Sequence, residues 1–229
     1  TGLWYPFLND FLNRPLWGKG GVFVKKTEQL GSYTLFWEDG VFPLGGDALA
    51  LGAFSTVKPG WRVCDLGTGS GVLLLLLARR AENLSLTGID IDPLSARIAR
   101  ENLESNGLPG EILTGDLRRE SLPAGDFDLV VSNPPYFPVG SGKSGGPARS
   151  EEFCTLSELC AAAGRLVKNG GRFSLCHRPE RLTDVLCALR AHNLEPKRLK
   201  LSAHSPDHPP SLLLVEAVKQ GKPGVVIEA

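Results

Sequence analysis

Polar residues that could bind a ligand follow several apolar stretches of the sequence. Asp65 starts the run Asp-Leu-Gly-Thr-Gly-Ser-Gly near the end of Arg62–Leu66, and Asn133 starts the run Asn-Pro-Pro-Tyr-Phe after residues 127–132. Glycines let a backbone turn tightly and let a ligand approach it closely. Two consecutive prolines remove two backbone donors and hold the preceding residue in an extended conformation. We therefore expect a loop that cradles a ligand and, separately, a stiff segment around Asn133.

Two further acids stand at the ends of apolar stretches. Asp90 ends Leu86–Asp90, 23 residues after Gly67, where an acid in a nucleotide-binding fold accepts hydrogen bonds from ribose hydroxyls. Asp116 follows a third short apolar run. Each acid by itself could be an ordinary strand-end residue, but their order after the glycine loop favours a nucleoside-containing ligand. Asp92 directly precedes a proline and is expected to cap a helix rather than to bind the ligand.

The elements that must position these residues alternate between strand and helix patterns. Strands are predicted at 62–66, 86–90, 111–114, 127–132, 171–176, 197–202 and 211–218, and helices at 71–80, 93–106, 156–166 and 179–192. Alternation of this kind predicts a central, mostly parallel sheet with helices on both faces, and the last two strands predict an antiparallel hairpin at its edge. The fold class is therefore α/β, with a Rossmann-like sheet of seven strands. Ligands bind such sheets where the strand order reverses, beside strands one and four.

The first forty residues have a different character. They are rich in aromatic residues and irregular, with a β-hairpin predicted from residues 22–26 and Tyr33–Trp37 around Gly31. We predict an N-terminal extension over residues 1–40 and a single domain over residues 41–229. Asp47 is expected to be the N-cap of a helix at the start of this domain.

Composition narrows the possible functions. The five cysteines are scattered and form no Cys-x-x-Cys pair, which favours reduced thiols in a cytoplasmic protein, and the four histidines show no metal-binding spacing. No apolar run approaches the length of about 20 residues that a membrane-spanning helix needs, and no signal peptide is visible at the start. The net charge is zero, although residues 61–135 carry −4 and residues 136–229 carry +4. We expect no metal and no membrane contact, and a monomer is plausible.

The glycine spacing identifies the ligand more closely. A dinucleotide-binding loop would place its third glycine at position 72, but that residue is Val72 and the third glycine is Gly71. The shorter spacing, with Asp65 two residues before Gly67, resembles motif I of class I S-adenosylmethionine-dependent methyltransferases. S-adenosylmethionine has no pyrophosphate, but it has an ammonium and a sulfonium group that an acidic strand end favours. The resemblance implies cofactor contacts from Asp65, Gly67, Thr68, Gly69, Gly71, Asp90, Ile91, Asp116, Leu117 and Asn133.

The Asn-Pro-Pro-Tyr run resembles a second motif of these enzymes, which marks those that methylate a planar nitrogen. An exocyclic aromatic amine is a poor nucleophile because its lone pair is delocalised into the ring. The resemblance implies that the side-chain oxygen of Asn133 and the carbonyl of Pro134 accept the two amine hydrogens and favour a pyramidal nitrogen. Tyr136 is the third catalytic residue, and Tyr136 and Phe137 would stack on the base. No general base is required, because the proton becomes acidic only after transfer.

Longer stretches resemble bacterial methyltransferases that act on adenine N6 of valine tRNA beside the anticodon, the tRNA1(Val) (adenine(37)-N6)-methyltransferase family. The matching stretches are residues 42–54, 133–137, 148–151, 170–173, 177–182 and 194–199. The run His-Arg-Pro-Glu-Arg-Leu at 177–182 is the most specific of them. The sequence departs from the family at Ser150, where the family has histidine, and residues 1–40 match less well. The resemblance implies a tRNA substrate, methylated at adenine 37.

Basic residues near the Asn-Pro-Pro-Tyr run could contact this tRNA. Lys143 and Arg149 lie in a glycine-rich loop just beyond it, where they would contact phosphate or close over the base. An ordinary solvated loop is the alternative. A further set could extend a basic face, although each member is by itself more typical of surface charge: Arg178, Arg181, Lys197, Arg198 and Lys200. For His177, a hydrogen-bonded imidazole at a strand end is favoured over a catalytic role.

Two other functions are compatible with parts of the sequence. Glutamine methyltransferases that act on peptide release factors share the glycine loop and the Asn-Pro-Pro-Tyr run, but they usually carry a separate N-terminal helical domain, for which forty residues are too few. An inactive cofactor-binding scaffold is the non-enzymatic alternative. The presence of all the predicted acids together with Asn133 and Tyr136 argues against it.

Overall fold

The computed structural model of the protein describes residues 25–41, 43–119, 123–134, 154–203, 205 and 207–228. The predicted site residues Tyr136, Phe137, Lys143 and Arg149 lie outside these ranges. The helices are α1 (Gly46–Phe54), α2 (Val72–Ala78), α3 (Pro93–Ser105), α4 (Leu156–Leu166) and α5 (Leu182–Ala191), with a 3-10 turn at Pro179–Arg181. The strands are β1 (Lys26–Leu30), β2 (Tyr33–Trp37), β3 (Arg62–Leu66), β4 (Ser85–Asp90), β5 (Gly110–Thr114), β6 (Phe127–Ser132), β7 (Val167–His177), β8 (Leu194–Ser202), β9 (Leu212–Lys219) and β10 (Val226–Glu228).

The main sheet has the order β10-β8-β9-β7-β6-β3-β4-β5. All neighbouring strands are parallel except that β9 runs antiparallel to both β7 and β8. The predicted α/β fold with a mostly parallel sheet is confirmed, and all seven predicted strands are present. Strand β10 adds an eighth by pairing in parallel with β8. Val226 and Ile227 are typical of strands, but the run is only three residues long, so its pairing with β8 identifies it as a strand.

Helices cover both faces of the sheet because strand residues alternate in direction. Val63 and Leu129 pack on one side with α1, α2 and α3, whereas Cys64 and Val130, their neighbours along the same strands, pack on the other side with α4 and α5. Since both faces are buried, the strands read as continuous apolar runs rather than alternating ones.

A β-hairpin with its turn at Gly31 and its second strand at Tyr33–Trp37 is present, as predicted, but its first strand is β1 (Lys26–Leu30) and not residues 22–26. Strands β1 and β2 pair antiparallel from Lys26↔Trp37 to Leu30↔Tyr33, with Gly31 at a φ of +66° in the two-residue turn. Leu30 and Leu35 are buried in the same core cluster as helix α2. The hairpin is therefore packed on the domain, while the division of the chain at residue 40 stays a prediction.

Capping residues mark where helices α1 and α3 begin. Asp92 caps α3, its carboxylate accepting from the backbone of Leu94 at 3.3 Å and of Ser95 at 3.0 Å, as the sequence predicted. The prediction for Asp47 was wrong, because the N-cap of α1 is Gly45 and Asp47 lies inside the first turn. Within the described part of the chain, no helix combines the length and apolarity needed to cross a membrane.

Strands β3 and β6 lie side by side, in the register Asp65↔Val131, at the point where the strand order reverses. The buried hydroxyl of Ser132 donates to the carbonyl oxygen of Leu66 at 2.7 Å, across the carboxyl ends of the two strands. The loop that begins at Gly67 and the segment that begins at Asn133 therefore leave the sheet next to each other.

Candidate cofactor and active site

The glycine loop between β3 and α2 has a backbone conformation that depends on its glycines. Gly67, Gly69 and Gly71 have φ values of +75°, +55° and +79°, a region that other residues rarely adopt. A Cβ added at Gly67 or Gly69 would meet no atom of the described structure within 4 Å, whereas one at Gly71 would lie 3.3 Å from Ala99 in α3. The first two glycines thus border open space, and the third allows close packing against α3.

Asp65 is a buried carboxylate below this loop. Its Oδ2 accepts from the hydroxyl of Thr68 at 2.9 Å, while Oδ1 has no hydrogen-bond partner among the described residues. Burial raises the pKa of Asp65 to about 7. An incompletely paired buried carboxylate is costly, and a cationic donor such as an ammonium group would offset that cost.

Asp90 ends β4, next to the loop. Its carboxylate accepts from the backbone of Gly69 at 2.7 Å and of Asp92 at 2.9 Å, and burial raises its pKa. The side chain therefore holds the glycine loop in place in addition to the role predicted for it. The next residue, Ile91, is 52% exposed, so an apolar side chain is presented to solvent at this strand end.

Asp116 follows β5, as predicted, and is paired with an arginine. The Arg118 guanidinium contacts both carboxylate oxygens, with Nε to Oδ1 at 2.8 Å and the terminal nitrogen to Oδ2 at 2.6 Å. This ion pair holds the pKa of Asp116 below its usual value. Arg118 also contacts Glu158 in the first turn of α4 at 3.2 Å. Leu117 packs against the apolar core on the face of the sheet that α4 covers. Asp116 and Leu117, two of the predicted cofactor contacts, are thereby anchored to α4.

These features fit S-adenosylmethionine. An unpaired buried carboxylate oxygen at Asp65 suits its ammonium group, and the open backbone at Gly67 and Gly69 leaves room for its chain. Asp90 and the exposed Ile91 stand where a ribose and a flat ring would need an acceptor and an apolar surface. The individual contacts predicted for these residues stay predictions.

Asn133 and Pro134 follow β6 and are both partly exposed. The Asn133 Oδ1 lies 3.0 Å from the Sγ of Cys176, which is fully buried in β7. Because β6 and β7 are parallel in the register Ser132↔Leu175, Asn133 and Cys176 are adjacent. The predicted acceptor group thus stands at the strand end beside the glycine loop, against a thiol from the other neighbouring strand.

His177 ends β7 and is 2% exposed. Its Nδ1 accepts from the backbone of Arg178 at 2.9 Å, and burial lowers its pKa to about 4, so the ring is neutral at physiological pH. This agrees with the prediction of a structural, hydrogen-bonded imidazole.

The basic face expected from the sequence is smaller in the structure. Arg198 was expected to extend it, but its guanidinium contacts the buried Glu216 at 3.1 Å and Glu228 at 2.6 Å, which corrects that expectation. The amine of Lys197 donates to a backbone carbonyl, and Arg181 pairs with Asp184. Arg178, in contrast, is exposed directly after β7.

Three residues of the site were not singled out from the sequence: Ser132, Cys176 and Arg118. Each is polar and lies within four residues of a strand end at the carboxyl edge, which is the only signal that the sequence offers. Their partners lie 66, 43 and 40 positions away. Among the residues that the structure describes, no group of three or more His, Cys, Asp or Glu side chains could hold a metal ion.

Comparison with known proteins agrees with this geometry. Residues 44–185 match the family described as methyltransferase small domain. A tRNA1(Val) (adenine(37)-N6)-methyltransferase from Porphyromonas gingivalis strain ATCC 33277 is 32% identical over 186 residues, covering 76% of this chain and 73% of that protein. One from Parabacteroides distasonis is 30% identical over 195 residues, covering 82% and 81%. A crystal structure described as a predicted O-methyltransferase from Agrobacterium tumefaciens has a TM-score of 0.66 at 23% identity, covering 80% of this chain and 85% of that one, and so shares the fold.

Proposed function

Because the chain belongs to the tRNA1(Val) (adenine(37)-N6)-methyltransferase family, a family of S-adenosylmethionine-dependent methyltransferases, we propose that it methylates the exocyclic N6 amine of adenine 37 in valine tRNA. The observation that carries this proposal is the position of Asn133. Its carboxamide follows β6, at the strand end adjacent to the glycine loop that follows β3. An amine acceptor therefore stands beside the part of the chain that suits the methyl donor.

Asn133 and Pro134 bind the reactive amine in this proposal. The carboxamide oxygen and the Pro134 carbonyl accept its two hydrogens, which draws the nitrogen towards a pyramidal geometry and frees its lone pair. The geometry is prepared before the substrate arrives, because Ser132 ties the end of β6 to Leu66 at 2.7 Å. Such preorganisation lowers the barrier without a general base.

The glycine-loop face binds the cofactor. When bound, S-adenosylmethionine supplies an electrophilic methyl group. Asp65 holds a cationic group by its unpaired oxygen, Asp90 accepts from hydroxyl groups, and Ile91 covers an apolar ring surface. Asp116, held in place by Arg118, and Leu117 would contribute further contacts from the end of β5.

The substrate side of the site uses residues outside the described ranges. We propose that Tyr136 and Phe137 stack on the target base and that Lys143 and Arg149 contact tRNA phosphates, together with the exposed Arg178. Phosphate contacts release counterions, so binding of tRNA should weaken steeply as salt is added. A tRNA substrate and scattered thiols both favour a cytoplasmic location.

The proposal is tested by incubating the protein with S-adenosylmethionine and valine tRNA transcribed without modifications, followed by mass spectrometry of the nucleosides. We expect N6-methyladenosine, and none when adenine 37 of the transcript is replaced by guanine. Asn133→Ala should abolish methylation while the dissociation constant for S-adenosylmethionine changes less than about threefold.

Two results would contradict the proposal. Absence of N6-methyladenosine from tRNA, combined with methylglutamine on a peptide release factor, would assign the protein to the glutamine-modifying enzymes. Binding of S-adenosylmethionine without transfer to any of these substrates would indicate a scaffold.

A further inference from the structure

Cys176 donates a hydrogen bond to the side chain that binds the reactive amine. Its Sγ lies 3.0 Å from Oδ1 of Asn133, and since a carbonyl oxygen only accepts, the thiol is the donor. The thiol is held by its surroundings: Cys176 is fully buried, and its strand is paired on one side with β6 and on the other, through Cys176↔Leu214, with β9. It is therefore a rigid donor at a fixed place.

A carboxamide has two nearly isosteric ends with opposite hydrogen-bonding properties. Rotation of the Asn133 amide by half a turn would put its NH2 group where the oxygen stands, and a second donor cannot bind the hydrogens of an amine. A thiol donor on one side favours the orientation that brings Oδ1 to that side. A carboxamide oxygen accepts two hydrogen bonds, so accepting from the thiol is compatible with accepting from a substrate amine.

We propose that Cys176 is a positioning residue that selects the amine-accepting orientation of Asn133. This inference rests on the proposed function, in which Oδ1 of Asn133 accepts from the target amine. The thiol determines the orientation of the carboxamide. It does not make Oδ1 a stronger acceptor, because Oδ1 accepts from the thiol and from the target amine at the same time. Its effect is on kcat and leaves binding of S-adenosylmethionine unchanged.

Two substitutions of Cys176 distinguish the effect of its hydrogen-bond donor from the effect of its side-chain volume. Cys176→Val fills the space without a donor and should lower kcat for tRNA about fivefold, the size expected for one neutral hydrogen bond. Cys176→Ser keeps a donor and should restore most of the lost rate. The dissociation constant for S-adenosylmethionine should stay the same in both variants. Cys160→Ala, at an equally buried cysteine in α4, is the control for disturbing the core and should leave kcat unchanged.

A change at Asn133 itself tests whether Cys176 acts through it. In Asn133→Asp both side-chain oxygens are acceptors, so there is no wrong orientation to exclude. Cys176→Val should therefore cost about fivefold in the wild-type background and less than about twofold in the Asn133→Asp background. An equal loss in both backgrounds, or no rescue by Cys176→Ser, would overturn the inference and leave Cys176 a core residue.

A measurement that needs no turnover separates this inference from the proposed function. The side-chain NH2 resonances of Asn133, assigned by their absence in Asn133→Asp, should shift in Cys176→Val and stay in place in Cys160→Ala. If tRNA is not methylated by the wild-type protein but the resonances shift, the proposed function fails and the contact stands. If tRNA is methylated but neither kcat nor the resonances respond to Cys176→Val, the positioning role fails.

Discussion

The side chain of Asn102 in α3 is hydrogen-bonded to the carbonyl oxygen of Ser70 in the glycine loop at 2.9 Å. The same carboxamide accepts from the backbone N–H of Phe36 at 2.9 Å and donates to its carbonyl at 2.8 Å. One helical turn later Asn106 binds the backbone of Thr34 in the same two ways. The two asparagines thus pair with the outer edge of β2 as a neighbouring strand would, and Asn102 joins that edge to the glycine loop.

Replacing Asn102 should damage stability and cofactor binding together. Asn102→Ala leaves three backbone groups without their partner, two of them on the buried strand edge, and should lower the free energy of unfolding by about 2–4 kcal/mol. The dissociation constant for S-adenosylmethionine should rise because the glycine loop loses an anchor. Urea denaturation and calorimetric titration measure the two effects.

Asn106→Ala is the matched control for this prediction. It removes the same kind of backbone pairing from an exposed part of the strand and has no contact with the loop, so it should cost about 1 kcal/mol without changing cofactor affinity. Equal cofactor affinities for the two variants would show that the link from Asn102 to Ser70 does not support the loop.

The raised pKa of Asp65 predicts that S-adenosylmethionine binding depends on pH. Below about pH 7 the carboxyl group is protonated and attracts a cation less, so the affinity should fall by up to about tenfold for each unit of pH below that value. Titrations between pH 5.5 and 8.5 measure this, and Asp65→Asn should abolish the dependence. A dependence that persists in Asp65→Asn would assign it to another group.

Asp65 should also set the stability of the ligand-free protein. The pKa is raised from 3.8 to about 7, so the favourable contribution of the protonated carboxyl is complete below about pH 4 and is lost as the pH rises through about 7. We expect Asp65→Asn to be more stable than wild type at pH 8 and to bind S-adenosylmethionine about 10- to 100-fold more weakly. Thermal unfolding at pH 5 and pH 8 checks the first part. Lower stability of the variant at pH 8 would contradict it.

Gly69 should be needed for the ligand as well as for the loop. Gly69→Ala places a side chain at a φ of +55°, which costs about 1 kcal/mol, and puts its Cβ into the open space that the cofactor is expected to use. Gly125→Ala is the control, since Gly125 has a φ of +66° and equally open surroundings but lies before β6. Both variants should lose similar stability, measured by urea denaturation, and only Gly69→Ala should lose cofactor binding. Loss of binding in both would attribute it to backbone strain.

Glu216 should be among the residues most important for stability. It is fully buried and accepts from the backbone of Thr56 at 2.7 Å, from Arg172 at 2.8 Å and from Arg198 at 3.1 Å, which ties α1 to the sheet. Glu216→Ala removes the carboxylate that pairs with Arg172 and leaves Arg198 with Glu228 as its acidic partner, and it should lower the free energy of unfolding by about 3–5 kcal/mol. Glu216→Gln, which keeps the shape and several hydrogen bonds, should cost less. A cost for Glu216→Ala no larger than that of Glu216→Gln would show that the charge is not needed.

The sequence by itself determined the features that are local in the chain. Apolar runs located the strands, the spacing from Asp65 to Gly71 predicted a cofactor loop, and Asp92 marked a helix start, because each depends on residues within one turn or one strand. Five of the seven predicted strands agree with the structure within one residue at each end, whereas β7 begins four residues and β8 three residues earlier than predicted. The short β10 was missed because a run of three residues is too short to predict a strand, and its pairing with β8 makes it one.

The tertiary structure decided everything that depends on the register of neighbouring strands and on burial. The sequence contains no sign that Cys176 would contact Asn133, since that contact follows from the pairing of β6 with β7. The sequence also could not show that Arg198 would form an ion pair with Glu216, 18 positions away. Nor could it show that Asp65 would be buried with a raised pKa, because desolvation is a property of the packed core. The chain thus specified which groups could carry out the chemistry, and packing determined their partners, their orientation and their charge.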